Sequence, residues 1–303
     1  MRSPLRCALA CFGVACFVSV GSVRADFTLV DDGFELTTHP SGFRTVATSP
    51  GIPFYMGRSP DGSNTALLTT DNTAGFTGTV FSINGSTAAA TNFPAIGLLP
   101  TTALLTTVGD TLTLSFSFRF TNSPSMNQGA FRFGLFDSNG TSLTADGPVA
   151  TTDNDRGYYA MVGSAGSLPG SGNVLFVENG GVSPILGGTD RVATTANNNG
   201  VSISDNLVHT VSLTLTRTSL TAMGMSTTID STTTTGSFVT LWTSFDEIGF
   251  GNTFAATNTQ FNIDNVKVTA TSVIPEPSTV ALCGLAAIGL GLGRRRRVAA
   301  IVG

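Results

Sequence analysis

The segment Thr111–Phe120 constrains the fold most strongly, because large apolar side chains alternate with polar ones along its whole length. Leucine and phenylalanine occupy the even positions, while threonine, serine and arginine occupy the odd ones. An alternation with a period of two places one set of side chains on each face of a β-strand. The segment therefore predicts a strand with one face in a core and the other towards solvent.

The same alternation continues further along the chain. Phe131, Phe133 and Leu135 share one parity, and their stretch ends near Asn139-Gly140, a pair that suits a hairpin turn requiring positive φ. No stretch between the two ends of the chain shows a sustained helical period. Further strands are predicted at 157–162, 173–178, 207–217, 220–227, 247–251 and 261–269.

Many short strands, turns rich in glycine and asparagine, and the lack of a helical pattern predict an all-β fold. We expect an antiparallel β-sandwich over residues 26–272, most simply a jelly roll. Residues 27–105 are harder to interpret, because six prolines interrupt their apolar patches. They could supply the first strands and long loops of the same sandwich or, less simply, a separate small domain.

Charge and cysteine usage exclude several classes of site. Residues 26–273 hold 18 acidic and 8 basic side chains, a net charge of −10, so phosphate backbones would be repelled and no nucleic-acid partner is expected. All four cysteines lie outside this segment. It therefore has no disulfide framework, thiolate metal site or cysteine nucleophile.

The N-terminus is typical of a secretory signal peptide. Arg2 and Arg6 precede an apolar stretch at 7–20, and Val23-Arg24-Ala25 provides a small-residue cleavage site. We predict that residues 1–25 are removed. A membrane anchor is the alternative, but the apolar stretch is short for a membrane span. Lipoprotein processing at a cysteine of this stretch is a weaker alternative.

The C-terminal segment, 273–303, combines three parts in order. The apolar run predicts a transmembrane helix, and the basic cluster behind it would stay on the cytoplasmic side of the membrane. A short buried helix is the alternative, but four consecutive arginines are hard to place in a globular core. The three parts are Pro275, Glu276 and Pro277, the apolar run at 279–293, and Arg294, Arg295, Arg296 and Arg297.

This order of parts resembles the PEP-CTERM sorting signal of bacteria. The resemblance covers about the last thirty residues. It implies a membrane protease of the exosortase type as partner, which recognises the Pro-Glu-Pro motif and cuts near it. It also implies export through the inner membrane, transient anchoring by the C-terminal helix, and final placement at the cell surface or outside the cell.

The latter half of the chain resembles the concanavalin A-like lectin and laminin-G group of sandwiches. The points of likeness are loose strand patterns without a catalytic signature. The resemblance implies a jelly-roll fold and an extracellular polysaccharide as partner. The stretches that carry it are 131–137, 208–213 and 261–268.

Four carboxylates form a candidate calcium site. The last predicted strand changes parity between Ile263 and Val266, which a bulge at Asp264-Asn265 would explain. If the first and last strands are neighbours, hard carboxylate oxygens would meet there and suit Ca²⁺ as a structural ion, the one cofactor considered. Alternatively, these residues only form the turn and accept backbone hydrogen bonds. The four are Asp31, Asp32, Glu35 and Asp264.

A second candidate site combines carboxylates with aromatic rings, a mixture that sugar sites use. The alternative is an acidic loop followed by a strand whose tyrosines half-fill the core. The candidate ligand-binding residues are Asp153, Asp155, Tyr158 and Tyr159.

The sequence favours a non-enzymatic module. Sandwich glycosidases need paired acids at a fixed spacing. Residues 26–273 contain three glutamates, Glu35, Glu178 and Glu247, and none of them has this spacing. We therefore predict a carbohydrate-associated, adhesion or matrix protein. The alternatives are a polysaccharide-active hydrolase or lyase and a purely structural coat protein.

Overall fold

The structure of the chain is a computed structural model. Most of the residues that it describes lie in one unit, Ala25–Val273, while a second unit comprises Met1–Arg24 and Ile274–Gly303. Within the described residues, no helix has the length and apolar character needed to cross a membrane. The predicted leader up to residue 22 and the predicted tail from residue 275 lie outside them. The described residues are 23–48, 51–57, 65–76, 78–85, 94–121, 130–147, 154–162, 174–181, 185–186, 190–193, 203, 205–239, 242–253 and 259–274.

The described residues form two β-sheets. The first has eight strands, in the order β13-β12-β11-β6-β15-β4-β3, with β1 also paired to β15. Its strands are β1 Val23–Asp32, β3 Thr65–Thr70, β4 Thr79–Gly85, β6 Thr111–Phe120, β11 His209–Arg217, β12 Met223–Ile229, β13 Thr232–Phe238 and β15 Thr259–Ile274.

The second sheet has seven strands, in the order β10-β9-β8-β7-β14-β5-β2. Every strand pairing whose register is defined is antiparallel. The predicted all-β antiparallel sandwich is therefore confirmed. The strands of this sheet are β2 Phe54–Met56, β5 Ala95–Leu104, β7 Ala130–Asp137, β8 Arg156–Val162, β9 Val174–Glu178, β10 Arg191–Ala193 and β14 Ser244–Thr253.

A phenylalanine-rich core lies between the two sheets. The apolar positions of β6 are buried and its polar positions are half-buried, as the alternation predicted. The ring of Phe116 packs edge-on against Phe133 and Phe250, each at 5.0 Å between centroids, and these two lie on the opposite sheet. Burying aromatic side chains in this way supplies the main stabilising term of the fold.

The strand predictions agree with the structure except at some boundaries. The strand predicted at 220–227 begins at Met223 instead, because the Thr218 amide donates to the Ala222 carbonyl and closes a turn around Leu220. Residues 27–105 contribute β1 to β5, which are divided between both sheets. This segment is thus part of the same sandwich.

The predicted turn at Asn139-Gly140 is present, with φ angles of 49° and 85°. It does not close a tight hairpin, because β8 begins only at Arg156. The intervening loop instead carries Leu143 into a second apolar cluster, which includes Phe136, Tyr159 and Phe176 and lies apart from the main core. This cluster covers the outer face of the seven-stranded sheet.

The predicted bulge in the last strand is confirmed. The register of β15 against β6 shifts between Asp264 and Lys267, and Asn265 adopts a φ of 55°. The extra residue allows Ile263 and Val266 both to point into the core, where each is 0 % exposed. The pairing of β1 with β15 also makes the first and last strands neighbours.

Candidate functional site

Polar side chains meet at the end of the seven-stranded sheet where β7 ends and β8 and β14 begin. The register places Asp137 opposite Arg156 and Phe136 opposite Glu247, so these strand ends lie side by side. Half-exposed and buried polar groups are therefore brought together from three strands and the loops that join them. We call the outer part of this group the rim cluster, which consists of Asp137, Ser138, Thr141, Asn154, Arg156 and Asp246.

Hydrogen bonds fix the rim cluster. The Ser138 amide and hydroxyl both donate to the carboxylate of Asp246, each at 2.7 Å. The Thr141 hydroxyl donates to the amide oxygen of Asn154 at 2.7 Å. These bonds link the loop after β7 to the starts of β8 and β14. The cluster is thus preorganised, with amide, hydroxyl and carboxylate groups near solvent.

Arg156 joins this cluster to an aromatic ring. Its Nη2 lies 3.0 Å from the Asp137 Oδ2, and its guanidinium lies 4.7 Å from the centroid of the Trp242 ring. The indole Nε1 donates to the Glu178 carbonyl at 3.0 Å, which fixes the orientation of the ring. The side chain of Arg156 is 32 % exposed, so the guanidinium can reach a ligand while it remains paired.

Two carboxyl groups lie beneath the rim cluster. Glu247 and Asp155 are each 1 % exposed. Burial, followed by the charges of Asp155 and Asp246, raises the pKa of Glu247 to about 9. At neutral pH Glu247 is therefore a neutral acid that can donate its proton in a hydrogen bond to Asp155.

A second group of polar side chains lies on the outer face of the seven-stranded sheet, across β7 to β10. We call it the polar layer, and it includes Arg132, Tyr159 and Glu178. Burial, followed by a hydrogen bond with Asp190 and its charge, raises the pKa of Glu178 to about 9. Burial lowers the pKa of Arg132 to about 10, so this side chain is still charged at neutral pH. Burial raises the pKa of Tyr159 to about 12. These shifts arise because loop residues such as Leu186 cover the layer.

The structure separates the candidate ligand-binding residues. Tyr158 points into the main core, where its ring contacts Phe238 at 5.3 Å, whereas Tyr159 lies in the second cluster. Adjacent residues of a strand point to opposite faces, so the two tyrosines belong to different environments. Asp155 lies beside Glu247, and Asp153 is outside the described residues. The assignment of these four residues to a ligand stays a prediction.

The candidate calcium carboxylates lie near β1 and β15 but have other contacts. The buried Asp32 accepts hydrogen bonds from the His39 Nε2 at 2.7 Å and from two backbone amides. Asp31 pairs with Lys267 at 3.2 Å, Glu35 is exposed, and the Asp264 carboxylate accepts from the Asn265 amide. Within the described residues, no three His, Cys, Asp or Glu side chains form a group that could hold a metal ion. Calcium binding by these carboxylates stays a prediction.

Sequence reasoning did not single out Asp137, Asp246 and Glu247 as neighbours. Their contacts join residues about a hundred positions apart, such as Ser138 with Asp246, and no local pattern encodes this pairing. The sequence signals at this place were the Asn139-Gly140 turn and the acidic loop before Arg156.

Several solved structures, among them two lectins and a carbohydrate esterase, are similar to this chain. Peanut lectin with a 9mer peptide is 12 % identical and covers 84 % of this chain and 100 % of its own, with a TM-score of 0.46. Lectin II from Ulex europaeus is 14 % identical, with coverage of 82 % and 98 % and a TM-score of 0.41. A carbohydrate esterase from Shiga toxin-encoding bacteriophage phi24B is 14 % identical, with coverage of 81 % and 99 % and a TM-score of 0.45. At these scores the similarities say nothing about ligand or activity.

Sequence comparison identifies the C-terminus. No curated protein matches the chain. A family model does match residues 273–297, which include the Pro-Glu-Pro motif, the apolar run and the four arginines. The resemblance noted from the sequence is thereby confirmed, and the chain carries a PEP-CTERM protein-sorting motif.

Proposed function

We propose that this chain is exported and sorted to the cell surface, where it works as a non-enzymatic, carbohydrate-associated module of adhesion or of the extracellular matrix. The observation that carries the proposal is the PEP-CTERM protein-sorting motif at 273–297. The last strand, β15, ends at Ile274, so the motif follows directly on the sandwich.

The tail supplies the sorting steps of this proposal. The signal peptide, 1–25, directs the chain through the inner membrane, and the apolar run at 279–293 holds it there. The arginines at 294–297 stay on the cytoplasmic side. A membrane protease of the exosortase type then recognises Pro275, Glu276 and Pro277 and releases the sandwich to the surface or beyond it.

The rim cluster supports carbohydrate association. Sugar hydroxyls are bound by convergent amide, hydroxyl and carboxylate groups next to an aromatic surface, and Asn154, Asp246 and the Arg156–Trp242 pair supply these groups. The net charge of −10 over residues 26–273 disfavours strongly anionic polymers. A neutral or weakly charged polysaccharide is the ligand that fits these features best.

Burial favours binding over hydrolysis. A glycosidase needs one acid and one carboxylate that both reach the scissile bond. Glu178 and Glu247 have strongly raised pKa values of about 9, but their exposed fractions are 0 % and 1 %. In this arrangement neither acid meets a substrate, so a hydrolase or lyase is the less favoured function.

Glycan-array binding tests the proposed function. The exported chain should bind a polysaccharide, and Arg156→Ala should weaken binding because it removes the guanidinium that pairs with Asp137 and lies over the Trp242 ring. Thr228→Ala, on the outer face of the eight-stranded sheet, is the matched control and should bind normally. Loss of binding in EDTA would support the predicted calcium ion. Release of sugar products would contradict the non-enzymatic assignment.

Processing of the tail is tested separately. Changing Pro275 and Pro277 to alanine should leave the tail uncut in a host that has an exosortase. The mass of the exported chain shows whether the tail has been removed. Unchanged processing would refute the assignment of these residues as the recognition motif.

A further inference from the structure

We infer that one end of the sandwich lies on the lipid bilayer while the tail holds the chain in the membrane. The inference rests on the proposed function, because it requires the tail to be a membrane anchor. It follows from exposed apolar side chains that meet at the end of the fold where β15 leaves it. We call this end the tail end and define it by Leu104, Val108, Leu220 and Val239.

The first two of these residues belong to the connection between β5 and β6. Leu104 is the last residue of β5, and Val108 lies in the short loop that leads to β6. The Gly109 amide donates to the Arg217 carbonyl at 2.8 Å. Since Arg217 is the last residue of β11, this loop lies next to the end of β11.

The other two residues lie at the same end of the eight-stranded sheet. Leu220 lies in the turn between β11 and β12, next to Met223. The register places Met223 opposite Phe238, and Val239 directly follows Phe238. All four residues of the tail end are therefore at neighbouring strand ends.

Both chain ends of the sandwich emerge at this place. The Val273 amide donates to the Asp110 carboxylate at 2.8 Å, immediately before β6. The Thr271 hydroxyl donates to the Asp26 carboxylate at 2.7 Å, so the start of the mature chain is also here. The two segments that the membrane machinery handles, before Asp26 and after Val273, are thus attached to the tail end.

Four large apolar side chains are exposed at the tail end. Val239 is 90 % exposed and Leu220 is 74 % exposed, the two highest values among the large apolar side chains that the structure describes. Leu104 and Val108 add to them at 58 % and 45 %. Exposed apolar groups concentrated at one place mark a contact with an apolar partner.

The length of the connecting chain selects the bilayer as that partner. Only Pro275 to Ser278 separate the end of β15 from the apolar run that starts at Thr279. Four extended residues span about 14 Å at most, so an anchored tail keeps the tail end next to the headgroups. At such short range even a weak apolar contact is populated, because the tether makes it intramolecular. The negative charge of the sandwich gives it no electrostatic attraction to acidic lipids, so the contact is apolar.

Site-specific quenching by lipid tests the inference. The full chain, with its four natural cysteines changed to serine, is reconstituted into phosphatidylcholine vesicles that contain a spin-labelled phosphatidylcholine. A fluorophore is attached either at Val239→Cys or at the control Leu207→Cys, which precedes β11 at the opposite end of the same sheet and is 64 % exposed. Both positions are exposed, so neither substitution should disturb folding.

We expect quenching at position 239 to exceed that at position 207 several-fold. Adding Leu220→Ser to the labelled Val239→Cys chain should reduce the difference, because it removes apolar contact area. A chain that floats with the vesicles but shows equal quenching at both positions would overturn this inference alone. A chain that does not float with the vesicles would overturn the proposed anchoring and this inference with it.

Discussion

The buried acid Glu247 makes the stability of this protein depend on pH in an unusual direction. Burial and the neighbouring charges of Asp155 and Asp246 raise its pKa from 4.5 to about 9 in the folded state. The unfolded chain therefore loses this proton near pH 4.5, while the native chain keeps it up to about pH 9. Between these values the native state binds more protons, so the free energy of unfolding falls as the pH rises.

Glu247→Gln removes this dependence. At pH 7 the unfolded chain ionises Glu247, whereas the native chain keeps it neutral. The gap of about 2.5 units between the ordinary pKa and pH 7 lowers the free energy of unfolding of the wild type by about 3 kcal/mol. The amide has nearly the same shape, cannot ionise, and can still donate to Asp155. We expect the variant to gain up to about 3 kcal/mol in free energy of unfolding at pH 7, and little near the unfolded pKa.

Urea unfolding at about pH 5 and about pH 8 measures the effect through the midpoint and slope of each transition. Glu35→Gln, at an exposed glutamate between β1 and β2, is the matched control and should change neither value by more than about 0.5 kcal/mol. If Glu247→Gln were destabilising at both pH values, or shifted both by the same amount, the native carboxyl would not be held neutral and the reasoning would fail.

Three further predictions concern the sandwich itself. Burial alone would raise the pKa of Asp71, but hydrogen bonds from Arg119, Thr73 and Asn262 outweigh it and lower the pKa to about 2. Wild-type stability should thus fall as the pH drops from about 4 to about 2, and Asp71→Asn should cost about 1–2 kcal/mol at pH 7 and flatten that acid limb in thermal scans. Phe116→Ala should cost about 3–5 kcal/mol by chemical denaturation, whereas Thr113→Ala, on the other face of β6, should stay within about 0.5 kcal/mol; similar costs would contradict the assigned faces. Asn265→Ala should cost about 1 kcal/mol and Asn265→Gly almost nothing, because the bulge holds this residue at positive φ; equal effects would argue against the bulge.

The sequence predicted the parts of the fold that leave a periodic trace. In β6 the outer face meets solvent, so its alternation was readable, and the parity change around Asp264 located the bulge. In β8 the alternation is lost, because six of its seven residues are buried and the second cluster covers its outer face. When a strand is buried on both faces, its sequence does not show which face each tyrosine occupies.

The candidate site was predictable only in fragments. The sequence showed the turn residues after Asp137 and the acidic loop before Arg156. It did not show that Asp246, about a hundred residues further along the chain, contacts them. Such contacts depend on strand order, which no local pattern specifies. The carboxyl pair of Asp155 and Glu247 has the same origin, since its members come from β14 and from the residue before β8.

The position of β15 has a mechanical consequence. This strand lies inside the eight-stranded sheet, with β6 on one side and β4 and β1 on the other. A pull along the strand at Ile274 is shared among hydrogen bonds on both sides, which run across the strand and are loaded in shear together. If the protein is held by its C-terminus in flowing water, the force therefore acts on a strand whose hydrogen bonds must all break together. The hydrogen bonds of an outermost strand could break one after another, at a lower force.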